Sequence, residues 1–134
     1  MEKKSRSDCP FCGENVEKRI IRHKGTVIAI RDGYPVTNLH TLILPKRHIS
    51  DYFDFTSEEI EDANRLLRSL REEILKEDPS VTGFNVGVNC GISAGQTIMH
   101  AHIHLIPRRD GDIANPRGGV RGVIPAKMDY QTAK

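Results

Sequence analysis

Histidine occupies every second position of one short segment: residues 100–107 read His-Ala-His-Ile-His-Leu-Ile-Pro. Alternation of polar and apolar residues is the period of a β-strand, in which successive side chains point to opposite faces. The segment is therefore predicted to be a strand that directs three imidazoles to one face. Its other face, with Ala101, Ile103 and Leu105, is predicted to lie in a core, so the chain must build a sheet around this strand.

Three alternating imidazoles also limit the chemistry. A single histidine on a strand is ordinarily a surface residue or a satisfied core residue, whereas three together indicate a site that handles a proton, a metal or a phosphoryl group. The residues alone leave two interpretations open. The histidines share a divalent ion, as in three-histidine zinc sites, or one imidazole attacks phosphorus while the others manage charge.

Composition narrows the class of protein. The 134 residues suit one domain, predicted to span 1–134. Lys+Arg 20 against Asp+Glu 18 gives a net charge of +2, so charge alone does not predict a nucleic-acid partner. No apolar run reaches the length of a membrane span, and residues 1–5 lack a signal-peptide core. We therefore expect a cytoplasmic protein with no membrane partner.

Three cysteines in a reducing compartment argue against disulfides. Residues 9–13 read Cys-Pro-Phe-Cys-Gly, a spacing that lets two thiolates reach one metal and resembles a zinc knuckle. A closed tetrahedral site needs two further ligands, and the candidates are His23, His48, Cys90 and one of the alternating histidines. The alternative is a redox pair or incidental thiols. Cys90 by itself is interpreted as a small packed residue.

The remaining patterns predict an α+β fold. Strands are predicted over 16–21, 26–30, 41–45 and 84–88, with loops over 31–35 and 89–95. Thr56 and Glu59 fit a capping box, and a long helix is predicted to run from there to Asp78-Pro79. The apolar positions that mark its buried face are Ile60, Ala63, Leu66, Leu67, Leu70 and Ile74.

The chain resembles the histidine-triad (HIT) family of nucleotide hydrolases and transferases. Residues 100–106 match the family signature of three histidines alternating with apolar residues. Residues 38–49 resemble the family's upstream strand and basic loop, and Gly95-Gln96-Thr97 is typical of the segment before the triad. The resemblance covers roughly residues 9–110. It implies an antiparallel sheet of about five strands with one main helix, usually extended across a homodimer.

The resemblance also implies a mechanism. His102 would attack the α-phosphorus of a nucleotide and form a nucleotidyl-histidine intermediate, which water then hydrolyses. The other catalytic candidates would surround the phosphate, and they are His100, His104, His40, Gln96 and Thr97. Asp32, eight residues before His40, would bond ribose hydroxyls, unless it is only a turn aspartate before Gly33. Asn89 and Gly95 would bind the nucleotide, and Ile30 would pack on the base.

Relatives with a Cys-x-x-Cys segment imply a metal site as well. Mapped onto this sequence, the ligands would be Cys9, Cys12, His48 and His100, which together would hold a structural Zn²⁺ with no open position. His23 is the substitute ligand. The metal would not be needed for the chemistry, and the alternative of a catalytic ion bound by the triad is disfavoured on the same ground.

The segment 108–134 is rich in glycine, proline and arginine and is predicted to be extended. Its arginines would meet the distal phosphates of a long substrate, or are simply solvated loop charges; they are Arg108, Arg109, Arg117 and Arg121. Residues 107–112 resemble the dinucleoside-polyphosphate-cleaving branch of the family, which favours a diadenosine-polyphosphate hydrolase. Three alternatives stay open: a nucleoside phosphoramidase, a phosphorylase, and a zinc-dependent nucleotide-binding module with little turnover.

Overall fold

The computed structural model describes residues 6–131 as one antiparallel sheet with one long helix. The strands are β1 (Ile20–Lys24), β2 (Val27–Arg31), β3 (Thr41–Pro45), β4 (Val81–Val88) and β5 (Ile103–Arg109), in the spatial order β1-β2-β3-β5-β4. The helices are α1 (Glu14–Glu17) and α2 (Ser57–Glu77). This architecture confirms the predicted α+β class, sheet and main helix. No helix among the described residues is long and apolar enough to cross a membrane.

Helix α2 covers one face of the sheet, and its start is the predicted one. The Thr56 hydroxyl accepts a hydrogen bond from the Glu59 backbone N–H, and the Glu59 carboxylate accepts one from the Thr56 N–H. The predicted helical face packs on the strands through Ala63, Leu66, Leu70 and Ile74. Ile60 departs from this face: its side chain is 45% exposed and borders an open groove instead.

The N-terminal segment covers part of the other face of the sheet. Phe11, Val16 and both N-terminal cysteines pack there against alternate residues of β2 and β3, namely Ile28, Ile30, Leu42 and Leu44. Both faces of these two strands are therefore buried. This explains why their sequences are continuous apolar runs, without the alternation of a strand that has one face in water.

One element prediction was wrong at the N-terminal end. Residues 16–21 were expected to form a strand, but the chain forms the short helix α1 there and β1 starts only at Ile20. The cause is the turn that encloses the cysteines. Backbone bonds from Asn15 N–H to the Cys12 carbonyl and from Val16 N–H to the Gly13 carbonyl continue that turn into helix. Strand β1 itself carries polar residues, so its sequence lacks the apolar pattern from which the other strands were predicted.

The histidine segment is a strand over only part of its length. Strand β5 begins at Ile103, so His100 and His102 precede its paired region. The alternation nevertheless persists, because Ala101, Ile103 and Leu105 are all buried in the core under α2. A hydrogen bond from the Ala101 N–H to the Ile49 carbonyl, 2.7 Å long, fixes the segment before the strand.

The C-terminal segment is not simply extended. After β5 it forms 3-10 turns at Gly119–Val123 and Pro125–Lys127, and the first turn packs against β4. Its arginines are engaged within the protein. Arg108 pairs with Asp112 at 2.7 Å, and Arg109 pairs with Asp78 at 2.8 Å.

Candidate active site and metal cluster

His102 stands between two rings on the face of the sheet opposite α2. The Phe11 ring lies 5.2 Å from its ring centroid and the His104 ring lies 5.1 Å from it. Its Nδ1 is 2.8 Å from the His100 carbonyl oxygen. A carbonyl only accepts hydrogen bonds, so Nδ1 carries the proton of the neutral ring. The lone pair is then on Nε2, which is the nucleophilic nitrogen.

A second chain of hydrogen bonds orients His104. The Val36 backbone N–H donates to His40 Nδ1 at 3.0 Å, so the proton of neutral His40 is on Nε2. This Nε2 lies 2.9 Å from His104 Nδ1 and donates to it. His104 therefore keeps its own proton on Nε2 and offers a neutral N–H donor. One backbone amide sets the tautomer of both imidazoles.

Burial keeps both of these histidines neutral. Burial, followed by the charge of the neighbouring His102 and His40 imidazoles, lowers the pKa of His104 to about 4. Burial also lowers the pKa of His40, although the nearby Asp32 carboxylate opposes the shift. His40 is almost completely enclosed, with 2% of its surface exposed. At neutral pH the pair is an uncharged hydrogen-bonding unit.

Asp32 has features of both of its predicted roles. Its Oδ1 accepts a hydrogen bond from the Tyr34 N–H at 2.8 Å, the contact of a turn aspartate. Its Oδ2 lies 3.4 Å from His40 Nε2 and so faces the histidine pair. The carboxylate is therefore beside the histidine pair, and ribose binding by Asp32 stays a prediction.

Gln96 does not have the predicted role. Both of its amide hydrogens are directed to backbone carbonyls, with Nε2 at 2.8 Å from the Ser50 oxygen and 3.1 Å from the Ile98 oxygen. Its Oε1 accepts from the Gly91 N–H at 2.9 Å. The buried side chain is thus saturated and fixes the loop before the histidines. It has no N–H left for a phosphate.

The other predicted nucleotide contacts are distributed around the cleft. Thr97 and Gly95 are exposed in the loop before His100, and Thr97 borders a hollow beside His48 and Cys9. Asn89 and His104 line the same cavity. Ile30 is fully buried in the cluster under Phe11, so it presents no surface to a base. Phe11 itself was not predicted, because its place between two cysteines gives no sign that it meets His102.

His100 belongs to a different cluster. Its Nδ1 lies 3.5 Å from Cys9 Sγ and 3.4 Å from Cys12 Sγ, and His48 Nδ1 lies 3.3 Å from Cys12 Sγ. The potential ligand atoms of these four residues all lie within 4.8 Å of one another. The chain therefore brings together the four predicted ligands. Among the described residues, His23 and Cys90 lie outside this group.

The geometry of this cluster fits a tetrahedral metal. Ligand distances of about 2.3 Å for sulfur and about 2.0–2.1 Å for nitrogen place S and N about 3.5 Å apart at a tetrahedral angle. His100 Nε2 lies 2.8 Å from the Pro45 carbonyl and must donate to it, which leaves Nδ1 free to bind a metal. Burial raises the pKa of the Cys9 thiol to about 11, so a bound metal would displace its proton.

Comparison with known proteins identifies the family of the chain. Residues 13–111 match the HIT domain. The chain belongs to the HIT family. A HIT family protein from Bacillus anthracis is similar in structure, with a TM-score of 0.71, 32% identity, and coverage of 81% of this chain and 78% of that one.

Two relatives illustrate the range of the family. A HIT-like protein of Mycobacterium tuberculosis is 37% identical over 112 residues, which cover 78% of this chain and 74% of that one. An asymmetrical bis(5'-nucleosyl)-tetraphosphatase of Schizosaccharomyces pombe is 31% identical over 80 residues. That match covers 60% of this chain and 43% of the relative. As a member of the HIT family, this chain is a nucleotide hydrolase. Family membership does not specify which nucleotide it cleaves.

Proposed function

We propose that the chain hydrolyses nucleotides at the α-phosphate through a covalent adduct on His102. The observation that carries this is the bond between His102 Nδ1 and the His100 carbonyl. It fixes the tautomer in which Nε2 has a free lone pair, as nucleophilic attack requires. His104 adds a neutral N–H donor next to that nitrogen, and His40 holds His104 in this state.

The proposed reaction has two steps. His102 Nε2 attacks phosphorus, so that an N–P bond forms while the bond from phosphorus to the leaving group breaks. The leaving group takes its proton from water in the cleft. A water molecule then attacks the phosphorus, the N–P bond breaks, and the nucleoside monophosphate leaves. The donor on His104 stabilises charge on the phosphoryl oxygens throughout. Asp32 is proposed to hold the ribose, with Asn89, Gly95 and Thr97 as further polar contacts.

We also propose that the Cys9–Cys12–His48–His100 cluster holds a structural Zn²⁺. Two sulfur and two nitrogen ligands are a common donor set for this ion. The metal would join the N-terminal segment, the loop after β3 and the segment before β5. It would supply rigidity and no chemistry, because all four ligands come from the protein. His100 would thereby connect the metal to His102, whose Nδ1 bonds the His100 carbonyl.

A homodimer is proposed in addition. Strand β4 is an edge of the sheet, and its Val86 is 48% exposed. Pairing of two β4 strands would cover this edge and make one continuous sheet. Sedimentation velocity would test the dimer, and a monomer at micromolar concentration would contradict it.

The leaving group separates two substrate classes. Dinucleoside polyphosphates are supported by the likeness to the yeast tetraphosphatase. Nucleoside phosphoramidates are supported by the pairing of Arg108 and Arg109 with Asp112 and Asp78, because these arginines are then not available to distal phosphates.

The deciding experiment traps the adduct. Protein is mixed with diadenosine tetraphosphate or an adenosine phosphoramidate, quenched within milliseconds to seconds, and digested for mass spectrometry at alkaline pH. Adenylylated His102 is the expected product, and His102→Ala should show neither adduct nor turnover. Turnover that survives in His102→Ala would contradict the proposal. ADP released only when phosphate is added would indicate a phosphorylase, and binding without any cleavage would indicate a nucleotide-binding module.

A further inference from the structure

An ion pair connects the start of helix α2 to the loop that carries His48. The Arg47 guanidinium donates from Nε to one Glu59 carboxylate oxygen at 2.8 Å and from Nη2 to the other at 3.0 Å. The same Nη2 lies 3.0 Å from the Asp54 carbonyl oxygen. This two-pronged contact fixes the orientation of the guanidinium as well as the position of its charge.

Glu59 is buried at this contact, with 3% of its surface exposed. The carboxylate oxygen that accepts from Arg47 Nη2 also accepts from the Thr56 backbone N–H at 2.8 Å. One carboxylate thus begins the helix and holds the arginine. Because the capping box fixes Glu59 on the first turn of α2, it is a rigid anchor for the Arg47 side chain.

The stability of the helix does not by itself explain a charge at Glu59. Removing a carboxylate from water costs free energy that an ion pair repays only in part, and apolar replacements of buried ion pairs are often neutral or stabilising. A capping box needs only an acceptor at this position, and glutamine supplies one without a charge. The charge on Glu59 is explained by the residue that it holds, which is Arg47.

Arg47 and His48 contact different layers of the protein. Arg47 contacts α2, which covers one face of the sheet, whereas His48 Nδ1 lies 3.3 Å from Cys12 Sγ in the N-terminal segment on the other face. The His48 ring also meets the His100 ring edge-on, with 5.2 Å between the centroids. A rotation of this loop would therefore move the His48 imidazole relative to its neighbours in the metal cluster.

Backbone hydrogen bonds hold the loop just before and just after these two residues. The Lys46 N–H donates to the Thr26 carbonyl at 2.9 Å, and the Ile49 carbonyl accepts from the Ala101 N–H at 2.7 Å. These bonds set the course of the main chain. The two residues between them can still rotate about that course, and the contact with α2 stops the rotation.

We propose that Glu59, acting through Arg47, is a positioning residue for the metal ligand His48. The proposal rests on the structural metal site proposed above and adds a residue that is not itself a ligand. The charge of Glu59 holds Arg47, Arg47 fixes the rotation of the loop, and the loop presents the His48 imidazole to the cysteine sulfurs. Metal affinity is therefore coupled to an ion pair at the start of α2.

Two variants separate this role from helix stability. Glu59→Gln keeps an acceptor for the Thr56 N–H and loses the charge that holds Arg47, whereas Thr56→Ala loses the side-chain cap and keeps the ion pair. The full-length protein, loaded with Co²⁺, is titrated with a competing chelator. We expect the Kd for Co²⁺ to rise about tenfold in Glu59→Gln, the lower end of the range for residues that orient metal ligands. Thr56→Ala should keep the Kd of the unaltered protein while lowering its midpoint of urea unfolding.

The visible absorption of the bound Co²⁺ is a readout that helix stability does not move. Its bands depend on the identity and geometry of the ligands, so Glu59→Gln should change them and Thr56→Ala should not. An unchanged Kd and spectrum in Glu59→Gln would overturn the proposal. An equal rise of the Kd in Thr56→Ala would overturn it as well, because the effect would then follow helix stability.

A double variant tests whether Glu59 and Arg47 act as one unit. Arg47→Gln should raise the Kd by about as much as Glu59→Gln. The two substitutions together should raise it about tenfold in total, since the ion pair can be broken only once. A rise of about a hundredfold would show independent effects and overturn the proposal. The double variant also replaces Glu59→Gln if that protein does not fold, because it leaves no unpaired charge at the contact.

The same titration separates failure of the metal site from failure of the positioning role. If the unaltered protein binds no Co²⁺ at the cysteines, the metal site and this proposal are both rejected. If it binds Co²⁺ with the spectrum of a tetrahedral cysteine and histidine site, and Glu59→Gln binds as tightly, the metal site stands and only the role of Glu59 is rejected.

Discussion

Two groups of potential metal ligands lie on either side of His102, and they differ in the hydrogen bonds behind them. The first is Cys9, Cys12, His48 and His100, and the second is Asp32, His40 and His104. In the first, the outer nitrogen of His100 faces a carbonyl and must carry the proton, which frees Nδ1 for a metal. In the second, the outer nitrogen of His40 faces the N–H of Val36 and must accept.

This difference assigns the groups to different tasks. A metal on His40 Nε2 would require a proton on Nδ1, directed against the Val36 N–H. The distance of 2.9 Å between His40 Nε2 and His104 Nδ1 is that of a direct hydrogen bond, shorter than the spacing of about 3.3 Å between two nitrogens on a tetrahedral metal. We infer that the first group binds metal and the second holds a proton in place. The backbone group that contacts the outer ring nitrogen, a carbonyl at His100 and an N–H at His40, decides whether the histidine can bind a metal. The number of potential ligands in the group matters less.

The largest expected effect comes from breaking the first group. Cys12→Ser should release the metal and lower the melting temperature by about 10 °C, since loss of a structural metal site is among the most destabilising single changes. Differential scanning calorimetry with metal analysis measures both. Cys90→Ser is the matched control, because Cys90 lies outside the cluster. A full metal content in Cys12→Ser would contradict the assignment.

Breaking the second group should affect activity and spare the metal. His40→Phe removes the donor to His104, so His104 is free to change its tautomer and orientation. We expect kcat to fall on the order of 10²-fold, as for loss of a positioned transition-state donor. Metal content should stay that of the unaltered protein. A variant with unchanged kcat would show that the His40–His104 bond is not used in the reaction.

Acid should lower the free energy of unfolding by protonating a histidine of the second group. The pKa of His104 falls from 6.5 to about 4 on folding, so between these values the unfolded chain binds more protons. The contribution of His104 is therefore fully favourable above about pH 6.5 and is lost as the pH falls through about 4. Urea unfolding at a series of pH values measures it. His104→Phe should lower the dependence of the unfolding free energy on pH over this range, and an unchanged slope would contradict the buried neutral state of His104.

The sequence predicted the residues of both groups and missed what distinguishes them. Alternation at 100–104 and the spacing of Cys9 and Cys12 are local patterns, and the family resemblance supplied His48 and His40. The Val36 N–H and the Pro45 carbonyl are backbone groups that any residue supplies, so they leave no mark in the sequence. Gln96 shows the same limit: its position suggested a phosphate contact, whereas three backbone partners fix it in the loop.

The smallest expected effect comes from removing only the Val36 backbone N–H. Val36→Pro removes the N–H that faces His40 Nδ1, at the cost of one hydrogen bond, about 0.5–1.5 kcal/mol. The Val36 side chain is 71% exposed, so Val36→Ala is a control that keeps the N–H. Without that N–H, His40 is free to hold its proton on Nδ1 and offer Nε2 to a metal together with Asp32 and His104. Calorimetric titration with Ni²⁺ of the zinc-loaded protein should then detect weak binding in Val36→Pro and none in Val36→Ala. Equal Ni²⁺ binding by both variants would show that the backbone donor does not separate the two groups.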